Sequence, residues 1–532
     1  MGMPIKQQGR WHLLFFACFG IVSASLMLYY LTNTLIHYTT DQQFPIDSFK
    51  RLPLTALIFP AEMFSFLFAM YFVYTLFADR HRAPTPMPLA GRERIRIALL
   101  IPVYHEPTDV VERTINACKR VRWPGGTRIY LLDDSKETEF TTAMAALARK
   151  HGCAIVRRPD RKGYKAGNVN NAIRTAVKEE FFAILDADQA PEQDFLERTV
   201  DHFSDPSVAF VQTPQYYVGE KTVLERTAKM GANIFFQAMC VGRARDKAMV
   251  FCGTNAVIRT EAFRAVKGLS YYMATEDIEL GLRMNEEGYH GVYVPEVLVR
   301  GYAPPDFKAY SSQQYRWANG NLAILREAWK KILFGKFTLR QQIHTLFALG
   351  WWLIGIVTLI YIITPILSLF LGLGTHHTWL PTAILIALYC NVVLGVGMIY
   401  AALQGRVEGD RMTVRDAILQ YLLITNSVFI YARAAVNAAL RRYVGFVRTN
   451  KTKSVTGWGL IKWNLITGTG LFAASIYALY HAAIASDAQQ LRTYLPISVW
   501  LLLYAFIMLS AIIFVVDADE PSGTKHTKEA HA

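Results

Sequence analysis

Apolar residues occur in two regimes along this chain. Uninterrupted apolar runs long enough to cross a hydrocarbon core of about 30 Å occupy residues 11–31, 54–77, 343–371, 379–403, 461–484 and 495–515, which predicts about six helical spans. Between the second and third runs the pattern changes: from Arg96, short β-rich runs (97–103, 128–132, 154–156, 181–185 and 208–212) alternate with helix-compatible stretches (109–121, 138–150 and 166–177). Such βαβ alternation predicts an open parallel sheet. The fold class read from the pattern is therefore an α/β domain inserted in an α-helical transmembrane domain.

Orientation follows from the basic residues. Lys6 and Arg10, the Arg80-His81-Arg82 cluster with Arg92, Arg94 and Arg96, then Arg406, Arg411 and Arg415, and finally Arg441 and Arg442 through Lys453 share one side if the spans alternate. That side is the cytoplasm. The first run follows two cations like a signal peptide, but it is too long and no small-residue cleavage site follows, so it reads as an anchor. One apolar stretch, 417–436, is long enough for a seventh span, yet Asn426 and Arg433 interrupt it and basic residues flank it. It reads as an interfacial helix, because a seventh span would carry the basic segment 441–453 to the outside.

The resulting division is a transmembrane pair in 1–78, a cytoplasmic domain in 79–308, interfacial helices in 309–337 and a second transmembrane pair in 338–404. An interfacial helix and loop in 405–456, a third pair in 457–516 and a tail in 517–532 complete it. Both termini fall in the cytoplasm. Composition agrees: 52% hydrophobic and 18% charged residues in 532 do not describe one soluble domain. The net charge of +14 is spread among the apolar runs and forms no nucleic-acid motif, so it points to anionic headgroups and phosphate-bearing substrates. The six cysteines form no CxxC pair and no zinc-like cluster.

Candidate chemistry collects where the predicted strands end, the place at which open α/β sheets bind ligands. Tyr104 and Glu106 follow the first run, Asp133 and Asp134 the second, Asp186 and Asp188 the fourth. Carboxylates converging in a cleft need a cation, and a divalent ion holding a diphosphate answers that need. A bare Asp-x-Asp also arises by chance; its place after an apolar strand favours the metal. The run Arg161-Lys162-Gly163-Tyr164-Lys165-Ala166-Gly167-Asn168 sets glycines and cations before a helix, suited to phosphate oxygens or simply to a basic helix start. Thr275-Glu276-Asp277 places two acids in a helical first turn, which is also an ordinary N-terminus. Gln313-Gln314-Tyr315-Arg316-Trp317 pairs a guanidinium suited to a diphosphate with an indole that can lie against a sugar ring; lipid-facing helices carry the same pair.

Taken in order, Asp-Asp, Asp-x-Asp, Thr-Glu-Asp and Gln-x-x-Arg-Trp resemble the processive family 2 glycosyltransferases, typified by cellulose, curdlan, chitin and hyaluronan synthases. The resemblance runs from about Arg96 to Lys451 and extends to Ile101-Pro102-Val103-Tyr104-His105-Glu106-Pro107, Lys165-Ala166-Gly167-Asn168, Gln212-Thr213-Pro214-Gln215 and Phe251-Cys252-Gly253-Thr254-Asn255. It implies a GT-A (Rossmann-like) cytoplasmic domain in a bacterial inner (plasma) membrane. It also implies that Tyr104, Glu106 and Asp133 or Asp134 hold the uridine, that Lys165 and Arg316 contact the diphosphate, that Gln313 and Asp186 also bind the nucleotide sugar, and that Asp186 and Asp188 place Mg2+ or Mn2+. Asp277 would be the general base, with Glu276 beside it, and Trp317, Cys252 and Gly253 would receive the acceptor sugar. Phe446, Thr449 and Lys451 resemble the gating loop FxVTxK of cellulose synthases, with Arg448 where that pattern has Val.

The implied reaction is a single displacement that releases UDP and inverts an α-linked donor into a β-linked product. UDP-glucose would be the donor and the growing glucan the acceptor, passed across the lipid bilayer, with accessory export proteins as further partners and nucleic acid as none. Trp351, Trp352, Tyr361, Tyr389, Asn391 and Tyr400 are candidates for a sugar-lined path, with lipid-belt aromatics as the alternative. Cellulose-synthase catalytic subunits usually carry a cyclic-di-GMP-binding PilZ domain. Only residues 517–532 follow the last apolar run, and they have no RxxxR-type entry, so no such domain is expected in this chain. A curdlan-like β-1,3-glucan is therefore narrowly preferred over cellulose-like β-1,4-glucan, ahead of mannan, chitin or hyaluronan types. A non-processive transferase and a transporter with a nucleotide-sensing domain are the rivals.

Overall fold

The computed structural model describes residues 46–77, 86–371, 395–397, 399, 413–442 and 457–516. The run 11–31, most of 379–403, the loop residues Phe446, Thr449 and Lys451, the path candidates Tyr389, Asn391 and Tyr400, and the tail 517–532 lie outside them.

Ten strands organise the domain between the second and third apolar runs: β1 (Ile97–Val103), β2 (Thr127–Asp133), β3 (Ala154–Val156), β4 (Phe181–Ile184), β5 (Ala190–Pro191), β6 (Val208–Gln212), β7 (Tyr216–Val218), β8 (Ala256–Arg259), β9 (His290–Tyr293) and β10 (Val299–Tyr302). Seven form one sheet in the order β3-β2-β1-β4-β8-β6-β9, and β5, β10 and β7 form a small second sheet. Residues along β1 alternate between two apolar cores, Ala98 and Leu100 facing one while Ile97, Leu99, Ile101 and Val103 face the other. A strand buried on both faces reads as a continuous apolar run, which is why these strands stand out in the sequence.

The sheet corrects one expectation, because it is mixed where a parallel sheet was predicted. β8 runs antiparallel to both neighbours, pairing Ala256 with Ile184 of β4 and with Gln212 of β6. It therefore begins where β4 and β6 end. The turn that enters β8 is delivered to the same edge as the strand-end acids, which a parallel strand would not do.

Among the described residues, four helical segments are long and apolar enough to cross a membrane: Ala56–Thr75, Leu339–Leu371, Trp458–Ala483 and Thr493–Val516. The stretch expected as one interfacial helix is instead two, Val414–Asn426 and Val428–Ala439, bent by 42°. The bend is fixed by amides. Asn426 Nδ2 donates to the Ile507 carbonyl (2.8 Å) and Ser510 Oγ (3.0 Å), while Asn464 Nδ2 donates to the Asn426 carbonyl (2.9 Å). The second half docks on the helix Phe307–Phe334, where Tyr431 Oη donates to Gln314 Oε1 (3.0 Å) and Asn437 Nδ2 to Tyr315 Oη (2.6 Å). Of the path candidates, Tyr361 is buried among helices and hydrogen-bonded to Ser65 (2.9 Å), and Trp352 packs edge-on against Tyr431.

A single carboxylate ties the α/β domain to two of the membrane-length helices. Asp246 accepts from Tyr74 Oη (2.6 Å), Arg245 Nη2 (3.1 Å) and Arg340 Nη1 (3.1 Å), and His344 Nε2 lies 2.9 Å away. Burial pushes this carboxyl up, but the hydrogen bonds from Arg245, Tyr74 and His344 outweigh it and hold Asp246 below the usual range. A depressed folded-state pKa contributes stability above the unfolded value and loses it as pH falls. At neutral pH, Asp246→Ala is expected to cost about 3 kcal/mol, since cations are left facing an enclosed site. Thermal unfolding in detergent should show a lower midpoint; an unchanged midpoint would remove Asp246 from this role.

Candidate active site

Register brings the site together. Val103 pairs with Asp133, and Leu100 pairs with Ile184, so β1, β2 and β4 end at one edge of the sheet. Asp133 closes β2, and Tyr104, Glu106, Asp134, Asp186 and Asp188 follow the strand ends.

At the β2 end, both acids are engaged by consecutive arginines that follow β3. Arg157 Nε donates to Asp133 Oδ2 (2.8 Å), and Arg158 holds Asp134 in a two-pronged pair at 2.8 and 2.6 Å. Arg158 also donates to the carbonyls of Lys162 and Tyr164, each at 2.7 Å, so it shapes the glycine-rich loop. The sequence reading missed this pair, although their position just past a strand end was the available signal. The Arg161 guanidinium carbon sits 3.4 Å from the Tyr104 ring centroid, and Tyr104 stacks on His105.

The loop turns into the helix Tyr164–Thr175 at Gly163, whose φ of 74° is left-handed. That turn presents Lys165, whose Nζ donates to Asp186 Oδ1 (2.5 Å) and to the Gly253 carbonyl (3.0 Å). Asp186 remains about a third exposed, while Asp188 is buried. Among the described residues no group of three or more His, Cys, Asp or Glu side chains forms an all-protein metal cage. Two strand-end carboxylates, one open to the cleft, suit Mg2+ or Mn2+, since Mg2+ keeps waters and takes its remaining ligands from substrate phosphates.

The opposite wall is the helix Glu276–Glu286, with Glu276 and Asp277 in its first turn as expected. Thr275 does not cap it: its Oγ1 is buried without a partner and packs on Gly320, where a Cβ would come within 2.6 Å. The helix bearing Gln313, Arg316 and Trp317 thereby touches the acidic turn directly. Asp277 Oδ1 accepts from the Ile278 amide (2.8 Å), and its Oδ2 faces Gly253, where a Cβ would lie 2.7 Å away. Burial raises both carboxyls, most strongly opposed at Asp277 by the Ile278 amide; at Glu276 the charge of Asp277 adds to the rise, and Lys165 and Arg316 pull both back.

Tyr217 completes the cluster and was missed in the sequence. It is buried beside Gln313, and its hydroxyl is pushed up to about 12, first by burial and also by Asp188 and Asp186. The Cys252-Gly253 turn thus stands between Lys165 with Asp186 on one side and Asp277 on the other. Phe446, Thr449 and Lys451, expected to form a gating loop, lie outside the described residues.

Residues 181–398 match the family model described as glycosyl transferase family group 2. The chain is 28% identical over 397 residues to cellulose synthase 2 of Novacetimonas hansenii, covering 73% of this chain and 24% of that protein. It is 26% identical over 510 residues to cellulose synthase 1 of Komagataeibacter xylinus, covering 93% and 31%. With the UDP-forming cellulose synthase catalytic subunit of Pseudomonas fluorescens it shares 28% over 378 residues, covering 69% and 48%. The chain thus spans between 24% and 48% of the length of these curated relatives. A solved mannosyltransferase from Pyrobaculum calidifontis, in complex with GDP-Man and Mn2+, superposes with a TM-score of 0.53 at 17% identity, over 73% of this chain and 100% of that one. That likeness shows a GT-A-like α/β fold.

Proposed function

We propose that this chain, which carries a family 2 glycosyltransferase domain, is a membrane-embedded, processive, inverting transferase that polymerises the glucose of UDP-glucose into a β-glucan and passes it across the bilayer. One observation carries the reading: a single turn, Cys252-Gly253, contacts Lys165 through its carbonyl and abuts Asp277. A cation suited to a diphosphate and a buried base suited to a hydroxyl thus meet across one turn. UDP-forming cellulose synthases among the relatives support a UDP-sugar donor.

In this reading Asp277 takes the proton of the acceptor hydroxyl as that oxygen bonds the anomeric carbon and the carbon–phosphate oxygen bond breaks on the other face. Its raised affinity for protons, caused by burial, suits a base. Lys165 and Arg316 stabilise the diphosphate that departs, charges fixed in advance of the reaction. A divalent cation held by Asp186 and Asp188 supplies further neutralisation of that charge when bound. Arg157 and Arg158 hold Asp133 and Asp134 where the uridine would approach, and Trp317 offers its indole to the terminal acceptor ring.

Resemblance to curdlan-type and cellulose-type synthases supports β-1,3 and β-1,4 linkages alike; β-1,3 is the first product to test. Purified protein in lipid with labelled UDP-glucose and Mg2+ or Mn2+ should make long glucan. EDTA should remove at least about 90% of that activity, in keeping with a metal-assisted departure of diphosphate. Digestion with β-1,3- or β-1,4-specific glucanases assigns the linkage. A single-sugar lipid adduct as the sole product would overturn the polymerase reading.

A further inference from the structure

We propose that Gln212 is a positioning residue that sets the donor half of the site against the acceptor half by clamping the turn Cys252-Gly253-Thr254-Asn255; the inference rests on the function proposed above. Gln212 ends β6, and its side chain is completely buried. Its Oε1 accepts from the Cys252 amide (2.9 Å), while its Nε2 donates to the carbonyls of Thr254 (2.8 Å) and Thr213 (2.9 Å). One primary amide therefore brackets the turn at both ends.

The bracketed turn is sharply bent, with glycine and asparagine at the positions that need a left-handed backbone. Gly253 and Asn255 have φ of 78° and 55°, both left-handed. Its contacts divide between the two halves of the site. Thr254 Oγ1 accepts from the Asp186 amide (2.9 Å), and the Gly253 carbonyl accepts from Lys165 Nζ (3.0 Å), on the donor side. The Gly253 Cα abuts Asp277 on the acceptor side. Backbone bonds from Asn255 to Ile184 (2.9 Å) and from Thr213 to Asn255 (3.0 Å) hold only the far end of the turn. At the near end the side-chain bonds are those of Gln212 to the Cys252 amide and of Gln215 Nε2 to the Cys252 carbonyl (3.2 Å). Removing the Gln212 amide loosens the end that faces Asp277, leaving Gln215 and Lys165 on its carbonyls, and displacements well under 1 Å matter there.

A buried glutamine can also serve only to satisfy backbone groups in a core. The two roles separate in the partition of UDP-glucose between hydrolysis, which needs the donor half alone, and transfer to glucan, which needs both halves in register. Gln212→Met keeps the length and removes every side-chain hydrogen bond. In the full-length protein it should lower transfer by about tenfold more than hydrolysis. Hydrogen exchange of the Cys252 and Gly253 amides should also accelerate. Loss of active protein through misfolding lowers both reactions by one factor, so a partition within about twofold of wild type overturns the proposal whatever the total activity. Should the wild-type protein turn over no UDP-glucose, the functional reading fails instead, and the exchange measurement decides the clamp: wild-type protection of these amides in Gln212→Met overturns it.

Discussion

Asp277→Asn is expected to slow glucan synthesis by about 10²–10⁴-fold, the range for loss of a general base, while UDP binds as tightly as before. The substitution is nearly isosteric. An amide oxygen can still accept from the Ile278 amide, as Oδ1 does at 2.8 Å, so the first turn of the helix keeps its shape. What is lost is proton affinity. Burial raises the Asp277 carboxyl, and the Ile278 amide, Lys165 and Arg316 restrain the rise, so the wild-type base titrates above its ordinary value. The base works only when ionised, so the transfer rate should climb with pH through that elevated value, and the acid limb should vanish in Asp277→Asn. Stability runs the other way: a raised folded-state pKa contributes stability below the unfolded carboxylate value and loses it as pH rises. Wild type should therefore gain more thermal stability than the variant on acidification from neutral pH. Retention of transfer in Asp277→Asn, with its pH profile intact, would sink the assignment of the base.

The strand-end acids were legible because strands buried on both faces read as apolar runs, and the polar residue after each run is then conspicuous. β8 was not legible. Ala256–Arg259 is four residues long and follows a turn whose left-handed Gly253 and Asn255 signal only irregularity. Its direction is set by which strands it lies between, and sequence period carries no direction. The partners of Asp133 and Asp134 were hidden for a related reason. Arg157 and Arg158 reach them only because β3 lies beside β2, a pairing between distant segments. Tyr217 belongs to a three-residue strand of the small sheet and comes to Gln313 through the packing of the helix Phe307–Phe334. The interruption at Asn426 was visible, but that it makes a 42° bend bonded to Asn464 and Ile507 depends on helices later in the chain.

Gly253→Ala separates close approach from mere glycine conformation. The residue has φ of 78°, so alanine there costs about 1 kcal/mol in backbone strain alone. The larger effect is steric. A Cβ would stand 2.7 Å from Asp277 Oδ2 and 3.3 Å from its Cβ. Asp277 cannot swing away without giving up the Ile278 amide, and the turn cannot retreat without drawing its carbonyl from Lys165. One of the two halves must therefore shift by several tenths of an ångström, and transfer should fall by about 10²-fold. Gly126 supplies the control. Its φ is also 78°, but a Cβ there meets nothing within 4 Å. Gly126→Ala carries the strain without the clash, at the start of β2 and away from the strand ends. Comparable thermal midpoints with transfer lost only in Gly253→Ala would place the effect at Asp277. Equal transfer in the two variants would mean that the approach of the turn to Asp277 has no part in the chemistry.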